Sequence, residues 1–224
     1  MRGDTMAPDQ REYPTQARLL RQAEMLFAEK GYHAVSVREI TNAAKCNLAA
    51  VNYHFGNKKN LYLNVFRSLW MPRAHRIHEC FRNNLAACRD SSPPTVIRAV
   101  AEAFLQGPLS DEERLWHSQL MIREMTKPTE AFDLVATEII QPFFEEIGHA
   151  LHPSAPEDMD NEQVTLIVLS IISMIIYFTF ARTPVSRLTG CTYDHAFTER
   201  LVNHIVRFCL SGLNRDASGR KDIS

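Results

Sequence analysis

The 224 residues hold 45% hydrophobic side chains, which excludes a wholly disordered chain, and a formal net charge of −1, which by itself says nothing about nucleic acid. The total hides an asymmetry: residues 1–89 carry fourteen Lys and Arg against seven Asp and Glu, and residues 90–224 carry eleven against nineteen, balances of +7 and −8. A basic front and an acidic rear fit a DNA-contacting head on a body that avoids DNA.

Taken in order, residues 1–13 are polar and aperiodic and read as a flexible arm. Arg2 or Arg11 is a candidate for the minor groove, with a solvated tail as the competing reading. From Thr15 to Lys30, Leu19, Leu20, Ala23, Leu26 and Phe27 form one apolar stripe, and Gly31 is a C-terminal stop. Ser36 with Glu39 predicts a capping box at the start of a short helix carrying Val37, Ile40, Ala43 and Ala44. Ala44-Lys45-Cys46 leaves room for a three-residue turn. Asn47 is then an N-cap for a two-turn helix over Leu48 to His54, ended by Gly56, with Asn57 capping the next. Helices this short need a supporting helix, which Thr15–Lys30 supplies. The pattern is a helix-turn-helix at about 36–55, whose second helix enters a major groove; an ordinary helical hairpin has the same spacing.

The run GYHAVSVREITNAAKCNLAAVNYHFGNKKNL resembles the N-terminal domain of the TetR family of bacterial transcriptional regulators. Phe27, Gly31-Tyr32, Ser36-Val37, Ile40, Ala43-Ala44, Asn47, Tyr53-His54-Phe55, Lys58 and Leu61 carry the likeness, over about residues 15 to 62. It departs from the family at two positions. Lys45 stands where the turn usually has Gly, so a left-handed backbone there carries a Cβ penalty. Asn52 replaces a usual Tyr, exchanging a phosphate-reaching side chain for one able to pair bidentately with adenine. Base contacts are expected from Asn47, Leu48, Ala49, Ala50 and Asn52. Phosphate contacts are expected from Tyr53, His54 and Lys58, flanked by Ser36, Arg38 and Lys45.

Asn57 to about Cys88 reads as one long helix, kinked or broken at Pro72, and as the only covalent link from head to body. His75 and His78 share a face but find no third ligand, so no metal is assigned. Cys80 and Cys88 lie roughly 12 Å apart along the helix, too far for a disulfide. Ser91-Ser92-Pro93-Pro94 breaks the chain. Three helices follow: Thr95–Leu105, one capped by Ser110 and running to Lys127, and one capped by Thr129 and running to Leu151 with a bend at Pro142. His152 to Asp160 reads as a loop. MIREMTKPTEAF, Met121 to Phe132, resembles the body domain of the CecR-like subgroup of the same family. Phe104, Trp116, Met121, Arg123, Met125 and Phe143 are candidates for an effector pocket between helices, with plain core as the alternative. For Arg123 and Glu124 the alternative is an ion pair on a helix flank.

Val164 to Ala181 is eighteen residues without a charge. That is the length of a membrane span, but Thr165, Ser170, Ser173 and Thr179 interrupt it and no polybasic flank accompanies it. A helix apolar on all sides is buried in a core or at an interface. Thr183 to Asp194 reads as a loop, and Asp194 to Leu210 as a last helix. Together the two helices suit a four-helix dimer interface built on Leu166, Leu169, Ile172, Ile176, Leu201, Ile205 and Phe208.

No GxSxG, HExxH, Walker or GxGxxG pattern occurs, and the eight glycines do not cluster, so neither an enzyme nor a cofactor is expected. Five cysteines without a CxxC pair, and no apolar N-terminal signal, point to reduced thiols in a cytoplasmic protein. The expected fold is all-α: an arm at 1–13, a helix-turn-helix domain at 14–62, a helical ligand-binding and dimerisation domain at 63–213, and a flexible tail at 214–224. The expected function is a homodimeric repressor of double-stranded operator DNA, released by an unknown small-molecule effector. The alternatives are an activator, a metal- or redox-responsive regulator, and a membrane-associated helical protein.

Overall fold

In a computed structural model, which describes residues 14–88, 90–152 and 160–218, the apolar stripes read from sequence are all on helices, and no strand occurs among the described residues. The arm with Arg2 and Arg11, most of the 152–160 loop and residues 219–224 lie outside the described residues. The chain divides into two units. One comprises residues up to Pro72 together with Gln119–Asp133; the other comprises Arg73–Ser118 and everything from Leu134.

The first unit is built on α1 (Thr15–Lys30), α2 (Val37–Ala43), α3 (Leu48–Phe55) and α4 (Lys58–Val65). α1 packs against each of the other three. Leu19, Ala23, Phe27, Ile40, Val51 and Leu61 are all fully buried between them, the burial that two-turn helices need to persist. The caps decide where each short helix starts. Ser36 Oγ accepts from Glu39 N–H at 3.1 Å, Asn47 Oδ1 from Ala50 N–H at 3.0 Å, and Asn57 Oδ1 from Asn60 N–H at 2.8 Å. Glu39 differs from a simple capping box. Its carboxylate pairs with Lys30 at 2.5 Å, and this bond leads in lowering its pKa, with the Ser36 backbone N–H a smaller contributor.

The α2–α3 turn is a Schellman motif. Cys46 N–H donates to Thr41 O at 3.0 Å and Lys45 N–H to Asn42 O at 3.1 Å. The motif requires a left-handed residue, and Lys45 supplies it at φ 51, the one non-glycine positive φ among the described residues.

Beyond α4 the helix does not stop at Pro72. A π-helical turn, Phe66–Trp70, leads directly into α5 (Met71–Ala86). Met71 N–H reaches back five residues to Phe66 O. In an α-helix the Pro72 ring would meet the carbonyl four residues back, and the wider turn relieves that clash. The same device recurs between α8 (Glu130–Val135) and α9 (Gln141–Leu151). There a π turn at Ala136–Ile140 precedes Pro142, and Gln141 N–H donates to Ala136 O.

The second unit gathers α5, α6 (Pro93–Leu105), α9, α10 (Asn161–Phe180), α11 (Arg182–Thr189) and α12 (His195–Ser218) around one apolar cluster that includes Phe81, Val100, Phe143, Ile175 and Ile205. α6 is the centre and packs against α9, α10 and α12. α11 occupies a stretch expected to be loop. Pro184 falls in its first turn, where a missing N–H costs nothing, and left-handed Gly190 ends it.

α7 (Asp111–Thr126) is one helix shared by both units, body to Ser118 and head from Gln119. It starts with a reciprocal box: Glu113 N–H donates to Ser110 Oγ at 3.2 Å and Ser110 N–H to Glu113 Oε2 at 3.0 Å. The chain therefore passes between units three times, after Pro72, Ser118 and Asp133. This corrects the expectation of a single covalent link.

Lys45→Gly should relieve a left-handed Cβ penalty of roughly 1–2 kcal/mol, partly offset by the freer unfolded chain. A rise of about 2–4 °C in the melting midpoint is expected, together with weaker, less salt-sensitive DNA binding. A lower midpoint would refute the strain argument.

Candidate nucleic-acid interface

α3 has two edges. Val51 and Phe55, one turn apart, are buried and fix the helix to the head. Opposite them Leu48 is 55% exposed and Tyr53 85%, and Ala49 and Asn52 are open as well. Exposure of this kind on a rigidly seated helix has no role within the chain and leaves a surface free for a partner.

A shallow groove of about 500 Å³ runs along this surface, lined by Thr15, Cys46, Asn47, Ala49, Ala50, Tyr53 and His54. The structure thus brings five of the expected contact residues into one place. Leu48 and Asn52 are exposed but outside the groove lining, sharing the adjacent face at i and i+4. Small Ala49 and Ala50 let a groove floor come close to the helix backbone. Tyr53 stands edge-on to His54, with ring centroids 4.9 Å apart. Asn47 has its oxygen committed to the α3 cap, so what it can offer a base is its amide N–H donors.

Around this surface Ser36, Arg38 and Lys45 are exposed, on the α2 cap, α2 and the turn. Lys58 is half-buried on the first turn of α4, and its ammonium lies 4.5 Å over the Tyr32 ring. Burial pushes its pKa down. The stacking orients the charge beside a helix N-terminus, which favours an anion. Thr15, absent from the sequence expectation, opens the sixteen-residue α1 and meets the groove through its own N-terminal turn. Only the tertiary proximity of α1 and α3 identifies it.

The expected effector-pocket residues are divided between the two units. Phe104, Trp116 and Phe143 belong to the second unit, with the Phe104 and Phe143 rings 6.2 Å apart. Met121, Arg123 and Met125 belong to the first unit; Met125 is 63% exposed, and Arg123 hydrogen-bonds the end of α1. The side chain seated on Phe143 is buried His78, stacked at 3.8 Å and 8°. Burial, then His75 and Arg82, lower its pKa to about 4. Burial, then Arg73, His78 and Arg114, lower that of His117 to about 3. Both imidazoles are therefore neutral at pH 7. Among the described residues no group of three or more His, Cys, Asp or Glu could hold a metal ion. Burial raises the thiol pKa of Cys46, Cys80 and Cys209, which lowers their thiolate fraction.

Of the expected dimer residues, Ile172, Leu201 and Ile205 are buried in the protomer's own core and are not available to a partner, and Ile176 is half-buried. Leu166, Leu169 and Phe208 are exposed, and Tyr177 and Phe180 extend the same open stripe along α10.

Comparison with known proteins agrees with this arrangement. The model of the "Bacterial regulatory proteins, tetR family" matches residues 19–65. That of the "HTH-type transcriptional dual regulator CecR, C-terminal domain" matches residues 93–213, more than half of the chain. The chain is 28% identical over 189 residues to the HTH-type transcriptional dual regulator CecR of Shigella flexneri, covering 80% of this chain and 82% of that protein. A 43-residue stretch is 49% identical to the Transposon Tn10 TetC protein of Escherichia coli, 19% of this chain and 22% of that one. Among solved structures, the TetR-family regulator PfmR of Thermus thermophilus aligns with a TM-score of 0.61 at 19% identity, over 87% of this chain and 97% of that one. A TetR-like regulator of Rhodococcus sp. RHA1 aligns at 0.63 and 17% identity, over 91% and 99%. At these identities the structures establish the fold alone.

The His78 environment sets a pH dependence. The folded imidazole stays neutral down to about pH 4, whereas an unfolded one protonates near 6.5. Between those values the unfolded chain binds more protons, so stability is full above pH 6.5 and falls as the pH drops toward 4. His78 alone contributes on the order of 3 kcal/mol at most, and His117 acts in the same direction. The melting midpoint should fall between pH 7 and 5, and His78→Phe, which preserves a ring against Phe143, should flatten that fall. An unchanged slope would assign the proton uptake to other groups.

Proposed function

The chain belongs to the TetR family of bacterial transcriptional regulators, with a CecR-type C-terminal domain, and on that premise we propose a cytoplasmic homodimeric repressor that leaves its operator when a small molecule binds the body. The observation that carries the DNA reading is α3: capped at Asn47, anchored by Val51 and Phe55, and exposed along Leu48, Ala49, Asn52 and Tyr53. In this reading Ala49 and Ala50 lie against thymine methyls, while Asn52 and the donors of Asn47 read base edges. Tyr53, His54 and Lys58 hold phosphates, with Ser36, Arg38, Lys45 and the N-terminal turn of α1 at the flanks. No catalytic step belongs to it.

The dimer is supported by α10. It is twenty residues long; its most apolar stretch has mean hydropathy 2.1, and 28% of that stretch is buried. One face, with Val168, Ile171, Ile172 and Ile175, lies in the protomer core; the other leaves Leu166, Leu169, Tyr177 and Phe180 open, and Phe208 of α12 is open as well. A second copy of α10 and α12 would cover that stripe and complete a four-helix interface. By length and composition α10 would also cross a membrane, but a spanning helix would withdraw its buried face from the protomer core. Two heads paired in this way read half-sites one helical turn apart or a multiple, roughly 34 Å.

For the effector, Phe104, Trp116 and Phe143 are the proposed pocket residues. Met121, Arg123 and Met125 are left out because they sit in the other unit. A second reading, activation at some promoters, is favoured by the similarity to the Shigella protein, a dual regulator. Transcription from a reporter carrying the selected operator, with and without the protein, separates the two.

Two results would test the main reading. With an operator selected from random duplexes, Lys58→Ala should weaken binding to every sequence and flatten its salt dependence. Asn52→Ala should relax preference at one base pair, at a cost of about 1–3 kcal/mol. A uniform loss from the Asn52 change would remove its base-reading role. The pair Leu166→Glu and Phe208→Glu should yield a helical monomer by sedimentation that no longer holds a two-half-site duplex. A dimer that survives both changes would rule out this face.

A further inference from the structure

The DNA-binding unit contains a piece of sequence from the middle of the chain. Gln119–Asp133, the last turns of α7 and the start of α8, clusters with the helix-turn-helix. Two adjacent residues of α7 hold two different helices of that unit.

Arg123 holds the end of α1. Its Nε donates to Ala28 O at 2.6 Å, and its Nη2 donates to Glu29 O. These are last-turn carbonyls, which have no donor within α1 and form the negative end of its dipole. Gly31 makes room: its φ is +82, and a Cβ there would sit 3.3 Å from Arg123 Nη1. Glu124 holds α4. Its carboxylate is 1% exposed; Oε1 accepts from Tyr62 Oη at 2.5 Å, and Oε2 accepts from Thr129 N–H at 2.8 Å. Burial and Glu124 raise the Tyr62 pKa far above its ordinary value, so the hydroxyl remains a donor at every working pH. Tyr62 in turn sets its ring edge against Phe27 of α1, with centroids 4.8 Å apart.

A buried carboxylate costs heavily in desolvation, and an apolar residue of similar volume would serve packing alone at least as well. What ionic and hydrogen-bonded groups add is a single geometry. α3 packs against both α1 and α4, so the angle between those two helices sets the direction of its exposed face. We propose that Arg123 and Glu124 are positioning residues for operator binding, locking α1 to α4 so that α3 presents its DNA face in register. The proposal rests on the reading of α3 as the operator-binding helix. It also gives the body a route to the head, because α7 is continuous across Ser118–Gln119, where the chain leaves one unit for the other.

The test uses the full chain and an operator selected with the wild-type protein. Tyr62→Phe removes one hydroxyl and leaves the core ring in place. It should weaken operator binding about tenfold or more, the scale of a hydrogen bond to a buried charged group. The loss should be equal across single-base operator variants, as positioning requires and base reading does not. Tyr62→Phe combined with Glu124→Leu should bind no more weakly than Glu124→Leu alone, since without the Glu124 carboxylate the Tyr62 hydroxyl has no contact left to lose. Arg123→Lys should recover part of the affinity lost in Arg123→Met. Binding is measured well below each variant's melting midpoint, with helicity checked, so that loss of fold is not counted as loss of register. Folded Tyr62→Phe protein with wild-type affinity would overturn the proposal, as would a loss that appears only where melting begins. If the wild-type protein selects no duplex at all, the operator reading fails, and this proposal falls with it.

Discussion

α3 is two turns long and cannot keep its shape in water, so the DNA-facing surface depends on what its buried edge rests against. It packs on α1 and α4, and those two helices are joined by an aromatic knot. Phe27 of α1 is fully buried, Tyr62 of α4 meets it edge-on, and Tyr32 tilts against Tyr62 at 4.8 Å. Edge-to-face rings have a preferred angle as well as a preferred distance, so the knot fixes orientation where aliphatic packing would permit slippage. Val51 and Phe55 then seat α3 on a base that is already rigid.

The local parts of this arrangement were legible in the chain. Ser36, Asn47 and Asn57 are short polar residues just ahead of apolar periodicity, and each caps the helix it was expected to start. Lys45 stands where the resembled family usually has Gly, which implied a left-handed residue with a Cβ penalty, and its φ is 51. These signals span four to six residues, and the physics that sets them is equally local. The Arg123 bonds to Ala28 and Glu29 join residues 95 and 94 positions apart, and no periodicity encodes them. Sequence spacing marked Arg123 only as a charge in an apolar stretch, read as an ion pair on a helix flank ahead of a ligand contact.

Two further differences have physical causes of the same kind. A proline inside a helical pattern announces a lost hydrogen bond but not how the loss is absorbed; at Pro72 and Pro142 a π turn absorbs it, and the helix continues. α10 is apolar on every side, so its composition says that it is covered without saying by what. Ile172, Leu201 and Ile205 turn inward, and Leu166, Leu169 and Phe208 stay open, a division made by α6 and α9 taking one side of α10. Amphipathic helices declare their inner face in sequence, whereas a uniformly apolar one acquires a face only from its neighbours.

Topology also limits how a signal can travel. With a single linking helix, a body rearrangement would act on the head as a lever from one point. With three crossings, after Pro72, Ser118 and Asp133, the head is tethered through the α4–α5 rod at one place and through both ends of Gln119–Asp133 at another. In the proposed reading, a displacement along α7 would reach Arg123 and Glu124 in consecutive positions, and through their hydrogen bonds α1 and α4 together. Any effector acting this way can shift the head by no more than its preference for one body conformation over the other. In the proposed reading, release would then need no large swing. Loss of two adjacent polar contacts would let α1 and α4 change angle while the apolar core that holds each of them stays packed.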